Sequence, residues 1–166
     1  INLLGGVYTR AISQKWYVIV NDGTMIVDGI VARNENSSDP SSLIINNYSY
    51  EKNTTPAVLT INEGTFTCAG GNVIKNDEGG SKVYIKGGTF TSGSSSNSAA
   101  QNWSIMVIDG GTFENTAENG TALHVATYGG LSNTTEVNSG KFIAQNAVLL
   151  DNGYEIGYAQ GNINFE

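Results

Sequence analysis

The chain of 166 residues carries a formal net charge of −7, and only 14% of its residues are charged. Gly, Asn, Ser and Thr dominate the composition, and long runs of Glu, Lys or Arg are missing, which argues against a helical solenoid. The basic residues are scattered, so we expect no basic patch for nucleic acid or an anionic membrane surface. The longest apolar run is too short to span a bilayer.

Taken in chain order, the clearest predicted elements are copies of one six-residue phrase. It reads INEGTF at 61–66, IKGGTF at 85–90 and IDGGTF at 108–113, with a weaker copy, VNSGKF, at 137–142. The phenylalanines that end these copies are 24, 23 and 29 residues apart. A repeat of this length is one supersecondary unit, too small to bury its own apolar face. The copies must therefore stack on one another as a solenoid.

Each phrase predicts a strand followed by a bend. Counting the final residue as position zero, apolar residues mostly occupy −7 and −5, which is the period of a half-buried strand, and Gly always occupies −2. The same frame predicts earlier copies that end at Tyr8 and at Met25. A second strand is predicted after each phrase, at 29–32, 72–75, 122–125 and 147–150.

Short strands joined by many turns, with about 23 residues per coil, predict an all-β fold: a parallel β-helix of about six coils. Residues 1–166 form a single domain in this interpretation, as a piece of a longer chain. Lateral insertions are predicted near 34–56 and 92–103, the first as a looped-out segment or as an extra coil built on residues 43–45.

On these phrases the chain resembles the right-handed parallel β-helix (pectate-lyase-like) superfamily. More narrowly, it resembles the Gly-Gly-Thr-Phe repeat proteins of Gram-positive bacterial surfaces and phage fibres. The resemblance covers about residues 58–142 and implies a right-handed solenoid. It implies no particular activity, because a solenoid acts only where a site is built onto it.

Catalytic chemistry finds little support in the sequence. The phrases that polygalacturonase-like enzymes of the resembling superfamily require are missing, and the two arginines lie outside the clear repeats. Asp109 and Glu136 should point outward on adjacent coils, where they could act as paired carboxylates, but Lys86 beside Asp109 favours a surface charge pair. His124, the only histidine, is interpreted as a structural strand residue. We expect no metal site and no cofactor, because His124 and the single cysteine, Cys68, lie far apart.

Two further patterns concern the surface. Thr residues at −1 and +1, including Thr65 and Thr89, predict outward rungs, which would also suit ice binding, although Thr is a common strand residue. Exposed aromatic rings beside Asn and Asp are typical of sugar-binding surfaces. They give four candidate ligand-binding residues, with loop anchoring as the alternative role for the aromatic ones: Trp103, Tyr84, Tyr128 and Asp109.

The predicted function is a non-enzymatic structural or adhesive module, such as a bacterial envelope adhesin, a stalk or a phage fibre segment. It would be extracellular or displayed on a cell or virion surface. The expected partners are glycans or a host-cell receptor, together with self-association or docking to a larger assembly. The alternative is a fragment of a polysaccharide lyase or a tailspike-like glycosidase.

Overall fold

The computed structural model describes residues 1–10, 14–126 and 133–150, together with the backbone of 156–158 and 163–165. Throughout these ranges the secondary structure is β, with no helix. Twenty short strands form three parallel sheets, and successive strands in each sheet are three elements apart in the chain. The chain therefore winds as a β-solenoid of about six turns, which confirms the predicted fold class.

Each coil contributes one strand to each of the three sheets, so that β1, β2 and β3 start the first, second and third sheets respectively. The first three coils contain β1 Asn2–Leu4, β2 Val7–Thr9, β3 Ile19–Asn21, β4 Thr24–Asp28, β5 Ile30–Asn34, β6 Ile44–Asn46, β7 Val58–Ile61, β8 Gly64–Cys68 and β9 Ile74–Asn76. The next coils contain β10 Lys82–Ile85, β11 Thr89–Ser92, β12 Ser98–Asn102, β13 Ile105–Ile108, β14 Thr112–Asn115, β15 Thr121–Val125, β16 Thr134–Val137, β17 Gly140–Ile143 and β18 Asn146–Leu150. A further partial coil contains β19 Ile156–Tyr158 and β20 Ile163–Phe165.

The repeated phrase spans the corner between the first and second sheets. Its apolar residues at −7 and −5 lie in the first sheet, and its Phe lies in the second. The glycine at −2 takes a positive φ in the four copies, with values of 153° at Gly64, 110° at Gly88, 108° at Gly111 and 146° at Gly140. A Cβ at Gly88 would lie 3.0 Å from the Gly64 carbonyl oxygen and 3.2 Å from the Phe90 ring. Backbone conformation and close coil contact both favour glycine here.

The phenylalanines form a continuous stack inside the solenoid. Rings 66, 90, 113 and 142 are fully buried, with centroids 4.9, 4.7 and 5.0 Å apart and planes within 9° of parallel. The spacing follows the distance between hydrogen-bonded strands, about 4.8 Å. Phe165 continues the register opposite Phe142, so all five phenylalanines of the chain occupy one row.

A ladder of buried asparagines follows the third sheet where it turns into the next coil. Asn21 donates from Nδ2 to Oδ1 of Asn46 at 2.8 Å, Asn46 donates to Asn76 at 2.9 Å, and Asn76 donates to Asn102 at 2.8 Å. The same amide groups also donate to backbone carbonyls of the following coil, such as Ile105. Each side chain thus satisfies polar groups in two coils at once.

Strand register confirms the copy of the phrase at Tyr8 and overturns the copy at Met25. Tyr8 pairs with Ala32, and Ala32 pairs with Phe66, whereas Met25 pairs with Leu59 in the first sheet. The predicted strand at 29–32 therefore overlaps β5 in the second sheet, while 72–75, 122–125 and 147–150 fall on strands of the third sheet. In this coil Ala32, with its small side chain, occupies the position that phenylalanine takes in the later coils. The repeat is therefore not recognisable there from the sequence.

The two segments predicted as lateral insertions each contain a strand of the third sheet. Ile44 and Ile45 lie in β6, which pairs with β3 and β9. The strand is flanked by connections at 35–43 and 47–57 that make this coil longer than its neighbours. In the segment 92–103, β12 follows a serine-rich turn. Extra chain length is thus accommodated in the turns on either side of the third sheet.

Cys68 is fully buried in the core. Desolvation by burial raises the pKa of its thiol, although hydrogen bonds and Arg10 partly oppose the shift. Because the thiolate is the reactive form, burial makes this thiol unreactive.

Replacing Asn76 with Ala should destabilise the solenoid by about 2–3 kcal/mol, because buried donors and acceptors in two neighbouring coils lose their partner. Urea unfolding followed by circular dichroism measures the change. Asn62→Ala is the matched control, since the half-buried Asn62 makes one outward hydrogen bond to Asp28, and it should cost under about 0.5 kcal/mol. Equal losses in the two variants would contradict the stabilising role of the ladder.

Candidate ligand-binding face

The outer surface of the third sheet carries an unusual set of side chains. Alternate residues of its strands point away from the core and stack in register from coil to coil. We call this surface the third-sheet face; its central row consists of Val20, Ile45, Lys75, Gln101, His124 and Leu149.

Ile45 indicates that part of this face is covered. Its neighbour Ile44 belongs to the internal core, whereas Ile45 lies outside that cluster and yet is only 1% exposed. Tyr17 precedes β3 by two residues and Tyr48 follows β6 by two residues, so the two start from opposite sides of the sheet. Their ring centroids are nevertheless 5.4 Å apart. The two side chains must therefore lean across the sheet over this row, which accounts for the burial of Ile45.

Trp16 completes an aromatic cluster with these two tyrosines. Its ring lies 5.3 Å from that of Tyr17 and 5.7 Å from that of Tyr48, in edge-on arrangements. Tyr17 is half-buried, whereas Trp16 is 53% exposed and Tyr48 is 41% exposed. The cluster thus has an inner ring that packs on the sheet and two outer rings that face solvent. A contiguous cluster of exposed aromatic rings is typical of ligand-binding and partner-binding surfaces.

Asn47 positions Tyr48. It adopts a positive φ of 70°, which Asn tolerates better than most residues, and its Nδ2 donates to the Glu78 carbonyl on the next coil. Its Oδ1 accepts from Asn53 Nδ2 at 2.6 Å and from the Ala57 amide at 3.3 Å. The turn that carries Tyr48 is therefore fastened to the solenoid on both sides.

Trp103 lies on the same face, two coils beyond Tyr48. It follows β12 directly, and the Lys75 ammonium lies 3.8 Å from its ring centroid as a cation–π contact. Lys75 also forms an ion pair with Asp77, with Nζ and Oδ2 3.3 Å apart. The predicted ligand residue Trp103 is half-buried, with one ring face against Lys75. This position is compatible both with anchoring the loop and with binding a ligand.

On the next strand of the third sheet, β15, the third-sheet face becomes polar. Gln101 Nε2 and His124 Nδ1 are 3.2 Å apart on adjacent strands, and both side chains are partly exposed. His124 is a strand residue, as expected. Rings followed by amide and imidazole groups make a surface that can stack on a sugar ring and hydrogen-bond its hydroxyls.

The other predicted ligand residues lie elsewhere. Tyr84 is half-buried in the middle of the first sheet, between Thr60 and Val107 of the neighbouring strands. Asp109 lies at the end of the same sheet, about 20 Å along the chain from Trp103. Tyr128 lies outside the described residues. Tyr84 and Asp109 therefore share one face of the solenoid, and Trp103 belongs to another.

Asp109 and Glu136 lie close together on adjacent coils, as expected, but the expected charge pair between Asp109 and Lys86 does not form. Asn138 Nδ2 donates to Asp109 Oδ1 at 2.8 Å and to Glu136 Oε1 at 3.0 Å. Because one amide nitrogen bridges them, the two oxygens are at most about 6 Å apart, which is too close for an inverting glycosidase pair but compatible with a retaining one. Asp109 is exposed, however, and both carboxylates lie on the outer surface of a sheet rather than in a cleft.

The threonine rungs lie in the second sheet. Thr65, Thr89 and Thr112 stack in one row, and Thr67 pairs with Thr91 in the other. Thr24, which precedes Met25 and so takes position −1 of that predicted copy, instead pairs with Val58 in the first sheet. Both rows are short: Arg33 and Glu114 bound the row of Thr67 and Thr91, and Val31 and Lys141 bound the row of Thr65, Thr89 and Thr112. The regular array is small.

Sequence reasoning missed Trp16 and Tyr17 because they lie outside the repeat. The available signal was two adjacent aromatic residues before an apolar strand, together with the Tyr-Ser-Tyr segment at 48–50. Which rings meet depends on strand register, and the register of this coil was assigned wrongly at Met25.

Within the described ranges, no group of three or more His, Cys, Asp or Glu side chains is placed to hold a metal ion. The part of the chain that the structure covers also contains no helix with the length and apolarity to cross a membrane. Comparison of the chain with protein-family models, curated proteins and solved structures gives no match. The functional argument therefore rests on the residues of this chain.

Tyr17 offers a test of the cluster through pH. Burial, followed by the nearby Tyr48 and Asp77, raises the pKa of Tyr17 above its ordinary value of 10.0. As the pH rises, the Tyr17 phenol therefore ionises in the unfolded chain before it ionises in the folded one. The contribution of neutral Tyr17 to the free energy of unfolding is complete below about pH 10 and is lost as the pH rises above that value. Tyr17→Phe should lose less stability than the parent between about pH 9 and pH 11 in urea unfolding. Identical pH slopes would contradict the packing of Tyr17 within the cluster.

Proposed function

We propose that this protein is a non-enzymatic, surface-displayed structural or adhesive module that binds glycans through its third-sheet face. The observation that carries the proposal is the aromatic cluster, whose outer rings Trp16 and Tyr48 remain exposed on a rigid sheet. Rigid rings lose little conformational entropy on binding, and an apolar ring face pairs well with the C–H surface of a sugar.

The solenoid suits display at a distance from a surface. An amide ladder joins its first four coils and a ring stack joins the third to the sixth, so it acts as a stiff rod rather than a flexible linker. The proposed settings are a bacterial envelope or a phage fibre, in keeping with the resemblance of the phrases to Gly-Gly-Thr-Phe repeats in right-handed β-helices. Glycans or a cell-surface receptor would be the external partner.

Glycan-array binding, followed by titration calorimetry on a glycan that the array selects, tests the proposal. Trp16→Ala and Tyr48→Ala should each weaken binding by about 1–2 kcal/mol, because each removes one exposed ring. Tyr84→Ala is the matched control on the first sheet and should leave the affinity unchanged.

Unfolding midpoints close to that of the parent would show that the variants remain folded, since both rings are largely outside the core. A parent protein that binds no glycan would contradict the proposal. Loss of binding in Tyr84→Ala but not in Trp16→Ala would assign the site to the first sheet instead.

One observation favours the alternative of a polysaccharide-degrading enzyme: the carboxylates of Asp109 and Glu136 share the Asn138 amide. If they act as a glycosidase pair, a reducing-sugar assay on panels of polysaccharides will show turnover that Asp109→Asn reduces by several orders of magnitude. Under the proposed function no turnover is expected, and any turnover that depends on Asp109 would replace the proposal. Asn62→Ala serves as a control for a neutral change on the same sheet.

A further inference from the structure

The residues of the third-sheet face form a line along the solenoid axis rather than a compact pocket. The aromatic cluster occupies the first two coils, Lys75 and Trp103 the third and fourth, and Gln101 and His124 the fourth and fifth. Successive coils are separated by about 4.8 Å, so the line is about 19 Å long.

We infer that the ligand is an extended, neutral, β-linked polysaccharide that lies parallel to the solenoid axis. This inference rests on the proposed function and adds the class and direction of the ligand. A pyranose unit in an extended β-linked chain is about as long as the spacing of one coil. Successive sugars can therefore meet successive coils without drifting out of register.

Two stacking positions follow from the rings. Trp16 and Tyr48 form the first, and Trp103 forms the second, about 10 Å farther along the axis from Tyr48. That separation corresponds to two sugar units. In extended β-linked chains alternate units are rotated relative to each other, so sugars two units apart present the same face to the sheet. Gln101 lies on the same coil as Trp103, where its amide contacts Asn72 and His124. His124 lies one coil farther along, where its partly exposed imidazole is the polar group nearest to a further sugar unit.

Charge along the line does not favour an acidic polymer. Its central cation, Lys75, already pairs with Asp77 and lies over Trp103. Beside the cluster, the exposed carboxylates of Asp22 and Glu51 offset the exposed cations of Lys15 and Lys52. The face therefore has no excess of positive charge to attract a polyuronate, and the chain as a whole carries −7.

Calorimetric titration with β-1,4-linked xylo- and cello-oligosaccharides, from dimers to hexamers, tests the inference. Affinity should rise with length to the tetramer or pentamer and then level off. Trp103→Ala should weaken binding of the tetramer about tenfold and leave the dimer unchanged, whereas Trp16→Ala should weaken both. Trp103→Phe keeps a ring under Lys75 and should retain most of the tetramer affinity, and Tyr84→Ala remains the control on the other face.

The outcomes separate the two claims. A dimer that binds as tightly as the pentamer, or tighter binding of oligogalacturonates or malto-oligosaccharides than of the neutral β-linked series, would overturn the axial ligand while leaving glycan binding intact. Failure of the protein to bind any glycan on the array would overturn the proposed function and this inference together.

Discussion

In-register stacking of like side chains is the constraint on which this molecule depends. A parallel solenoid places each residue about 4.8 Å above its counterpart in the coil below, so an internal side chain must suit its copy as well as its own coil. Aromatic rings satisfy this by lying parallel, as Phe66, Phe90 and Phe113 do. Asparagine satisfies it by donating with one end of the amide and accepting with the other, as Asn46 and Asn76 do.

The same constraint explains how the outer surface acquires a site. Because the backbone is held by its neighbours, a turn can lengthen without disturbing the rungs, and the long connection after β6 carries Tyr48 back over the sheet. Ile45 then becomes buried from the outside, and the rings above it gain a fixed base. A stiff core thus supports the proposed binding surface, which needs no cleft. Its side chains are spaced by the coils, a geometry that matches a long ligand better than a small one.

Much of the fold was predictable from the Gly-Thr-Phe repeats at a fixed spacing. The glycine indicates the corner between two sheets, and the phenylalanine indicates the buried ring. The copy at Tyr8 was found from Gly6, Leu3 and its own aromatic ring. The copy in the second coil was missed because Gly23-Thr24-Met25 imitates the phrase, whereas the true ring position holds Ala32. The site was only partly predictable. Trp103 could be named as a candidate residue, although its ring is half-buried rather than exposed. Its contact with Lys75 and the contact of Tyr17 with Tyr48 depend on the register between coils.

The two ends of the amide ladder have a mechanical consequence. At one end the Asn21 side chain turns back to accept from the Gly23 amide, and at the other the Asn102 amide ends on Asn133 and Thr135, beside a coil that has Val125 in the ladder position. Under tension, a solenoid peels from its termini one coil at a time. Peeling from the carboxyl-terminal side would first release the last coils, which the ring stack holds without the amide ladder, and would then meet added resistance at Asn102. The last coils could therefore extend under load while the aromatic cluster stays assembled.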